Sequence, residues 1–115
     1  MLKQAQRIRL ESDYKSILRK GRRFYSPYFT MFVKPQNNLG FSTSRFGFIA
    51  SKKVGKAVVR NRVKRQIREI IRLNMDKIKA GYDIVIIISP KAAGESYLTL
   101  ETAIITQLKY GKLFK

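Results

Sequence analysis

Apolar side chains recur at helical spacing between residues 57 and 75 of this 115-residue chain. With successive residues about 100° apart, five side chains fall within about 80° of one another, and Ile71 lies just outside. The five are the apolar Val59, Val63, Ile67 and Ile70, together with Asn74. Arg60 and Arg62 flank this stripe, and the opposite side carries Asn61, Lys64, Arg65, Arg68 and Arg72. The pattern predicts a long helix that buries one face and presents a dense positive charge on the other.

The positive charge of the chain is concentrated rather than evenly spread. Lys and Arg number 25 and Asp and Glu number 7, which gives a net charge of +18. Nine of the cations fall in residues 52–72, where Glu69 is the one acid, whereas residues 82–115 hold only four. A solvated helix face with paired charges does not explain this count, because unpaired like charges repel. We therefore predict that this basic segment binds phosphate groups, with Arg60-Asn61-Arg62 contributing donors near the start of the helix.

Strand and helix patterns occur on both sides of the central helix. From the N-terminus, the other predicted elements are a helix over residues 13–20, a short and a longer strand within 24–33, a strand over 45–52, a strand over 82–88 and a helix over 97–109. Ser12 is expected to cap the first helix and Gly21 to end it. Pro27 is expected to separate the first two strands, and residues 35–40 to form a turn or loop.

The apolar run from Ile84 to Ile88 is typical of a central strand that is covered, or nearly covered, on both faces. The element order is therefore α-β-β-β-α-β-α. This order predicts a single α+β domain over residues 1–115, an α/β sandwich in which helices pack on one sheet.

The chain has no histidine and no cysteine, which removes most catalytic constellations. Disulfide scaffolds, zinc fingers, cysteine nucleophiles and histidine bases are excluded, and the seven carboxylates are scattered. Lys52-Lys53-Val54-Gly55-Lys56 lacks the spacing of a P-loop, so Gly55 is expected to be a turn residue. The longest apolar run is far shorter than a membrane span of about 20 residues. We expect a cytoplasmic protein that has no metal site and no catalytic residue of its own.

Aromatic side chains are concentrated before residue 50, near many of the cations. They are Tyr14, Phe24, Tyr25, Tyr28, Phe29, Phe32, Phe46 and Phe48. Most should belong to the core, but a domain of this size cannot fully bury both faces of a sheet. Aromatic rings beside cations are also how proteins hold single-stranded nucleic acid, so core burial and base stacking both stay open for each ring.

Residues 48–69 carry a specific motif with the sequence FIASKKVGKAVVRNRVKRQIRE. This stretch is similar to the S-K-K-x-G-x-A-V-x-R-N-R-x-K-R-x-x-R-E signature of the protein subunits of bacterial ribonuclease P. Asp13-Tyr14, Gly21 and Tyr82-Asp83 extend the resemblance over essentially the whole chain. Tyr14 stands where the family commonly has Phe, and an aromatic role should survive that change.

The resemblance implies a four-stranded sheet with a left-handed β-α-β crossover. It also implies a role as the protein cofactor of a ribonucleoprotein that removes the 5′ leader of precursor tRNA by endonucleolytic hydrolysis. Catalysis would be carried by an RNA subunit, with Mg²⁺ held by that RNA and the substrate. The implied partners are the catalytic RNA, with one protein per RNA, and precursor tRNA, with no membrane involved.

The resemblance further implies two binding surfaces on this chain. The basic segment would touch the catalytic RNA through Lys52, Lys53, Lys56, Arg60, Asn61, Arg62, Lys64, Arg65, Arg68 and Arg72. A cleft between the first helix and the sheet would hold the single-stranded leader through Tyr14, Lys15, Phe29, Met31 and Ile49.

Two other functions are compatible with the composition. A ribosomal or ribosome-assembly RNA-binding protein would also be small, basic and free of cysteine, but it would not need the motif in residues 48–69. A DNA-binding protein could also present a basic helix, yet the sequence has no helix-turn-helix pairing and no dimerisation heptad.

Overall fold

The structure is a computed structural model that describes residues 2–36 and 43–115. In these ranges the helices are α1 (Glu11–Lys20), α2 (Ala57–Leu73) and α3 (Tyr97–Tyr110), and the strands are β1 (Arg22–Tyr25), β2 (Phe29–Pro35), β3 (Arg45–Ala50) and β4 (Tyr82–Ile88). This order confirms the predicted α+β arrangement, including the break between the first two strands. The turn expected over residues 35–40 lies mostly outside the described residues.

The four strands form one sheet in the order β1-β2-β4-β3. β4 is antiparallel to β2 on one side and parallel to β3 on the other. Its place inside the sheet explains its apolar run and confirms the prediction of a central strand. β3, α2 and β4 form the parallel crossover that the resemblance implies, and its left hand stays a prediction.

Side chains alternate between the two faces of the sheet, and one face is sealed by α2 and α3. β2 and β4 contribute Phe29, Met31, Ile84, Ile86 and Ile88 to this face. The helices contribute Val63, Ile67, Ile70, Ile71, Leu100, Ile104 and Leu108. We call this set the main core. The burial of Val63, Ile67 and Ile70 confirms that the apolar stripe of α2 is its packing face.

The other face carries a smaller cluster beneath α1. Its buried members are Ile8, Ile17, Phe32 and Val85, and we call it the α1 cluster. Arg45 holds α1 to the sheet, because it donates to both carboxylate oxygens of Asp83 at 2.9 and 2.7 Å and lies 3.5 Å from Asp13. The hydrogen bond to Asp83 raises the pKa of Arg45, which therefore keeps its charge.

Two helix boundaries differ from the prediction by two residues each. α1 begins at Glu11 and is preceded by Leu10, which makes no side-chain capping bond, so the prediction that Ser12 is the cap is wrong. Ser12 already lies in the first turn, where Glu11 and Asp13 place negative charge at the positive end of the helix dipole. α2 ends at Leu73 rather than Met75, because the chain tightens there into a 3-10 turn.

Candidate nucleic-acid interface

A tight turn carries the chain from the end of β3 into α2 and begins the basic segment, residues 52–72. Lys52–Val54 form a 3-10 turn in which the N–H of Lys53 donates to the Ser51 hydroxyl at 3.3 Å. Gly55 has a φ of 149°, a conformation that other residues rarely adopt, and a Cβ there would lie 3.0 Å from the Val59 side chain. These observations confirm Gly55 as the turn residue. They also place the lysines of this turn beside the start of α2.

Most of the basic segment is exposed to solvent. The exposed members are Lys52, Lys53, Lys56, Asn61, Arg62, Arg65 and Arg72, and the half-buried ones are Arg60, Lys64 and Arg68. In the part of the chain that the structure describes, Arg72 is the only one of these cations that pairs with a carboxylate, since its Nε donates to Glu69 at 2.9 Å. That hydrogen bond lowers the pKa of Glu69. The remaining positive charges of the segment are available to an external anion.

Two arginines connect α2 with the rest of the domain. Arg62 donates from Nη2 to the Ala93 carbonyl at 2.8 Å. The guanidinium of Arg68 lies 5.7 Å from the centre of the Phe48 ring, at β3. Residues four apart share one side of a helix, so Lys64 and Arg60 continue the row that Arg68 begins. The half-buried cations of the segment therefore follow the side of α2 that is nearest to β3.

The sheet face beneath α1 is only partly covered. Tyr14 of α1 lies over Gly47 of β3, and Gly21 at the end of α1 approaches Val33 of β2, so the helix crosses the strands. Beyond the helix, one residue from each strand forms a row that is half-buried or exposed. In register across the sheet, this cleft row consists of Ile49, Ile87, Thr30 and Tyr25. Since Ile49 stands shortly before the turn at residue 52, the cleft row opens beside the basic segment.

Tyr14 joins the α1 cluster to the basic segment. Gly47 leaves room for its ring, because a Cβ at that position would lie 2.5 Å from Cε1 of Tyr14. The Tyr14 hydroxyl donates to the Ile8 carbonyl at 3.3 Å. Burial raises the pKa of Tyr14, while the Phe48 backbone and the charge of Arg68 act in the opposite direction. Tyr14 and Arg68 line the same cavity of about 170 Å³ at the edge of β3.

Three of the five residues predicted for the cleft lie on the α1 side of the sheet. Tyr14 and Ile49 pack against the α1 cluster and are partly buried. Lys15 is exposed on α1, with its Nζ 3.5 Å from Glu11. Their place on this side of the sheet is compatible with the predicted cleft, and their contact with a leader stays a prediction.

The other two were placed on the wrong face. Phe29 and Met31 are 0% exposed and belong to the main core, so the prediction that they line the cleft is wrong. Strand alternation turns Thr30 and Phe32 toward α1 instead. The sequence does indicate which face of β2 is the less covered one. Of its two alternating sets of side chains, the set that contains Thr30 and Lys34 is the more polar. The more polar set suits the less completely covered face.

The described residues offer no cluster of acids to balance this charge. Among residues 2–36 and 43–115, no group of three or more acidic side chains comes together where it could hold a metal ion. In the same ranges, no helix is both long and apolar enough to cross a membrane. The surface combines dense positive charge with a partly apolar cleft, which suits a polyanion that also exposes flat rings.

Fold and charge together define a class: a small α+β domain whose cationic helix lies beside an open sheet cleft. Within that class, the family model for ribonuclease P matches residues 2–111. The chain belongs to the ribonuclease P protein family, and membership implies an RNA partner in a ribonucleoprotein, consistent with tRNA 5′ processing.

Relatives and solved structures of this family cover nearly the whole chain. The ribonuclease P protein component of Clostridium novyi is 36% identical over 113 residues, which is 98% of this chain and 99% of the relative. That of Fusobacterium nucleatum is 43% identical and covers 94% of this chain and 86% of the relative. The solved Staphylococcus aureus protein has a TM-score of 0.84 at 31% identity and covers 96% of this chain and 98% of its own. The Thermotoga maritima protein has a TM-score of 0.80 at 32% identity, with coverages of 90% and 96%.

Proposed function

We propose that this chain is the protein cofactor of a ribonucleoprotein that removes the 5′ leader of precursor tRNA. In this proposal the basic segment binds the catalytic RNA, and the cleft between α1 and the sheet holds the single-stranded leader. The observation that carries the proposal is the juxtaposition of the two surfaces. The turn at Lys52–Val54 directly follows the strand that supplies Ile49 to the cleft row.

The basic segment supplies affinity for the RNA subunit. Cations that have no acidic partner release counterions from phosphates when they bind, so each contact adds to affinity and to its salt dependence. Arg65 and Asn61 project from the exposed side of α2, whereas the row of Arg60, Lys64 and Arg68 faces β3. The exposed side is therefore assigned to the RNA subunit. The row nearest β3 is assigned to the junction between that RNA and the leader.

The cleft supplies a surface for unpaired nucleotides. Its floor is uncharged and partly apolar from Ile49 through Ile87 to Thr30, and it ends on the exposed ring of Tyr25. Tyr14 forms the wall on the β3 side, where Arg68 can meet a phosphate. Bases stack on such surfaces with little regard to sequence, whereas a base pair hides its faces in the duplex.

The chain itself supplies no general acid, base or nucleophile in this proposal. It has no His and no Cys, and its described carboxylates do not gather in a group that fits a resident Mg²⁺. The ion, which activates water and stabilises the leaving oxygen in such reactions, is assigned to the RNA subunit and substrate. The residues of this chain bind and orient the leader and bring the two RNAs together.

Reconstitution with the RNA subunit from the same organism tests the proposal. Precursor tRNA is incubated with the chain alone, the RNA alone at low Mg²⁺, and both together. We expect accurate removal of the leader only when both are present, and no cleavage by the chain alone. Robust cleavage by a preparation shown to be free of RNA would contradict the cofactor role. A mixture that cuts no better than the RNA alone would contradict the proposal as a whole.

A further inference from the structure

A second group of exposed aromatic rings lies at the free edge of β1, where the C-terminal half of α3 reaches the sheet. Tyr25 is 64% exposed and Tyr110 is 77% exposed. They line a cavity of about 370 Å³, whose full lining is Arg23, Phe24, Tyr25, Thr106, Gln107 and Tyr110. We call this set the edge site. It lies on different elements from the basic segment.

The rings of the edge site are held in place without being buried. Tyr110 packs edge-on against Phe24, with ring centres 5.9 Å apart and planes at 83°. Gln107 donates from Nε2 to the Tyr25 carbonyl at 2.7 Å and so ties α3 to β1. The guanidinium of Arg23 lies 6.0 Å from the centre of the Tyr25 ring. Stacking of a ligand on these rings would therefore cost less side-chain conformational entropy than stacking on a mobile side chain.

Charge narrows the class of ligand. Arg22 and Arg23 are exposed and lie over aromatic rings, and in the described part of the chain neither pairs with a carboxylate. A second copy of this chain would bring a net charge of +18 against the same charge, which disfavours self-association. Aromatic rings beside unpaired arginines match a ligand that has both a flat π-face and a negative charge. Every nucleotide has both, whereas a lipid headgroup or an acidic peptide without aromatic residues offers only the charge.

We propose that the edge site binds unpaired nucleotides of single-stranded RNA, with bases stacked on Tyr25 and on Tyr110 and a phosphate on Arg23. The site is continuous with the cleft, because Tyr25 is both the last member of the cleft row and a lining residue of the edge site. A long leader that crosses the cleft thus reaches the edge site at its far end. This route for the leader rests on the proposed function, whereas binding of free single-stranded RNA does not.

Fluorescence of 2-aminopurine, placed near one end of a single-stranded RNA, tests the site in the full-length chain. Stacking on a ring quenches this fluorophore, and the titration gives the affinity. Tyr110→Ala is expected to weaken binding about 5- to 150-fold, the range for one lost base stack. Tyr110→Phe keeps the ring and should bind like the parent. Leu98→Ala is the matched control, because Leu98 is 69% exposed on the same helix but outside the edge site.

The outcomes separate this proposal from the proposed function. Loss of quenching and affinity in Tyr110→Ala and Tyr25→Ala, with Leu98→Ala unchanged, supports the edge site. Equal affinity for all of these variants, each shown to be folded by circular dichroism, overturns it. In the reconstituted holoenzyme, Tyr110→Ala and Tyr25→Ala should weaken the binding of precursor tRNA only when its leader is long enough to cross the cleft. Leader length could have no effect on precursor tRNA binding by any variant, while Tyr110→Ala still weakens the binding of free single-stranded RNA. That result would contradict the leader cleft and support the edge site.

Discussion

The two faces of the sheet are closed to very different degrees, although both are lined by isoleucine and valine. On the face of the main core, Ile84 and Ile86 are 0% exposed. On the α1 face, Ile87 from the same strand and Ile49 beside it remain partly exposed. The apolar composition of a strand therefore does not decide whether its surface is sealed.

Helix dimensions account for the difference. An α-helix with its side chains is about 10 Å wide, and a strand of the length of β4 spans about 23 Å. Two helices, α2 and α3, lie on one face and bury it with their apolar sides. α1 crosses the other face alone, so it covers less than half of it. The proposed leader surface is the part that a single helix leaves open.

The largest expected effect comes from shortening neighbouring isoleucines that face opposite ways on β4. Ile86→Ala should lower the free energy of unfolding by about 2–5 kcal/mol, because it leaves a cavity in the main core. Ile87→Ala should cost about 1 kcal/mol or less, because solvent already reaches that side chain. Urea unfolding of the two variants measures both losses. Equal losses would mean that the α1 face is as tightly sealed as the other.

Tyr14→Ala tests the wall of the open cleft. Binding of precursor tRNA by the holoenzyme should weaken by about 1–3 kcal/mol, the contribution of one base stack. Binding of mature tRNA, which has no leader, should stay nearly unchanged. Tyr14→Phe is the matched control, since it keeps the ring and loses only the bond to the Ile8 carbonyl. Equal weakening with both substrates would show that Tyr14 acts through packing alone.

Arg65→Ala on α2 and Lys109→Ala on α3 compare the two helices that cover the main core. The solvent-facing side of α2 is strongly cationic, whereas that of α3 is not. Loss of one phosphate contact should reduce the salt dependence of binding to the RNA subunit by about one unit of log–log slope. Near 0.15 M salt this corresponds to about fivefold weaker binding. We expect that loss for Arg65→Ala and little change for Lys109→Ala. Filter binding over a range of salt concentrations measures the salt dependence for each variant. Equal slopes for the two variants would mean that only the net charge of the chain determines affinity for the RNA subunit.

The smallest effect is expected from sulfate. The cations of the basic segment repel one another in the free chain, and an anion that binds the folded state stabilises it by mass action. Replacing chloride by sulfate at equal ionic strength should raise the free energy of unfolding by up to about 1 kcal/mol. Circular dichroism during urea titration checks this. No change on adding sulfate would contradict the view that repulsion limits stability.

The sequence was a good guide wherever the signal was local. The stripe of Val63, Ile67 and Ile70 predicts the packing face of α2, and the run beginning at Ile84 predicts the central strand. Prediction was wrong for Phe29 and Met31, because alternation alone shows only that β2 has two faces, and the polar residues Thr30 and Lys34 are what indicates the less covered one. It was also wrong for Ser12, since helix propensity around Glu11 extends the helix past the expected cap.

The sequence by itself determined the order of the elements and the concentration of positive charge, because periodicity and charge are properties of short stretches of chain. Only the tertiary structure decided which surfaces meet. The strand order β1-β2-β4-β3 aligns Tyr25 with Ile49 in one row, although 24 positions separate them in the chain. The missing side chain of Gly47 matters only because Tyr14 crosses above it. Such contacts depend on how many helices fit across a sheet and in which register its strands pair, and neither is encoded in any single segment.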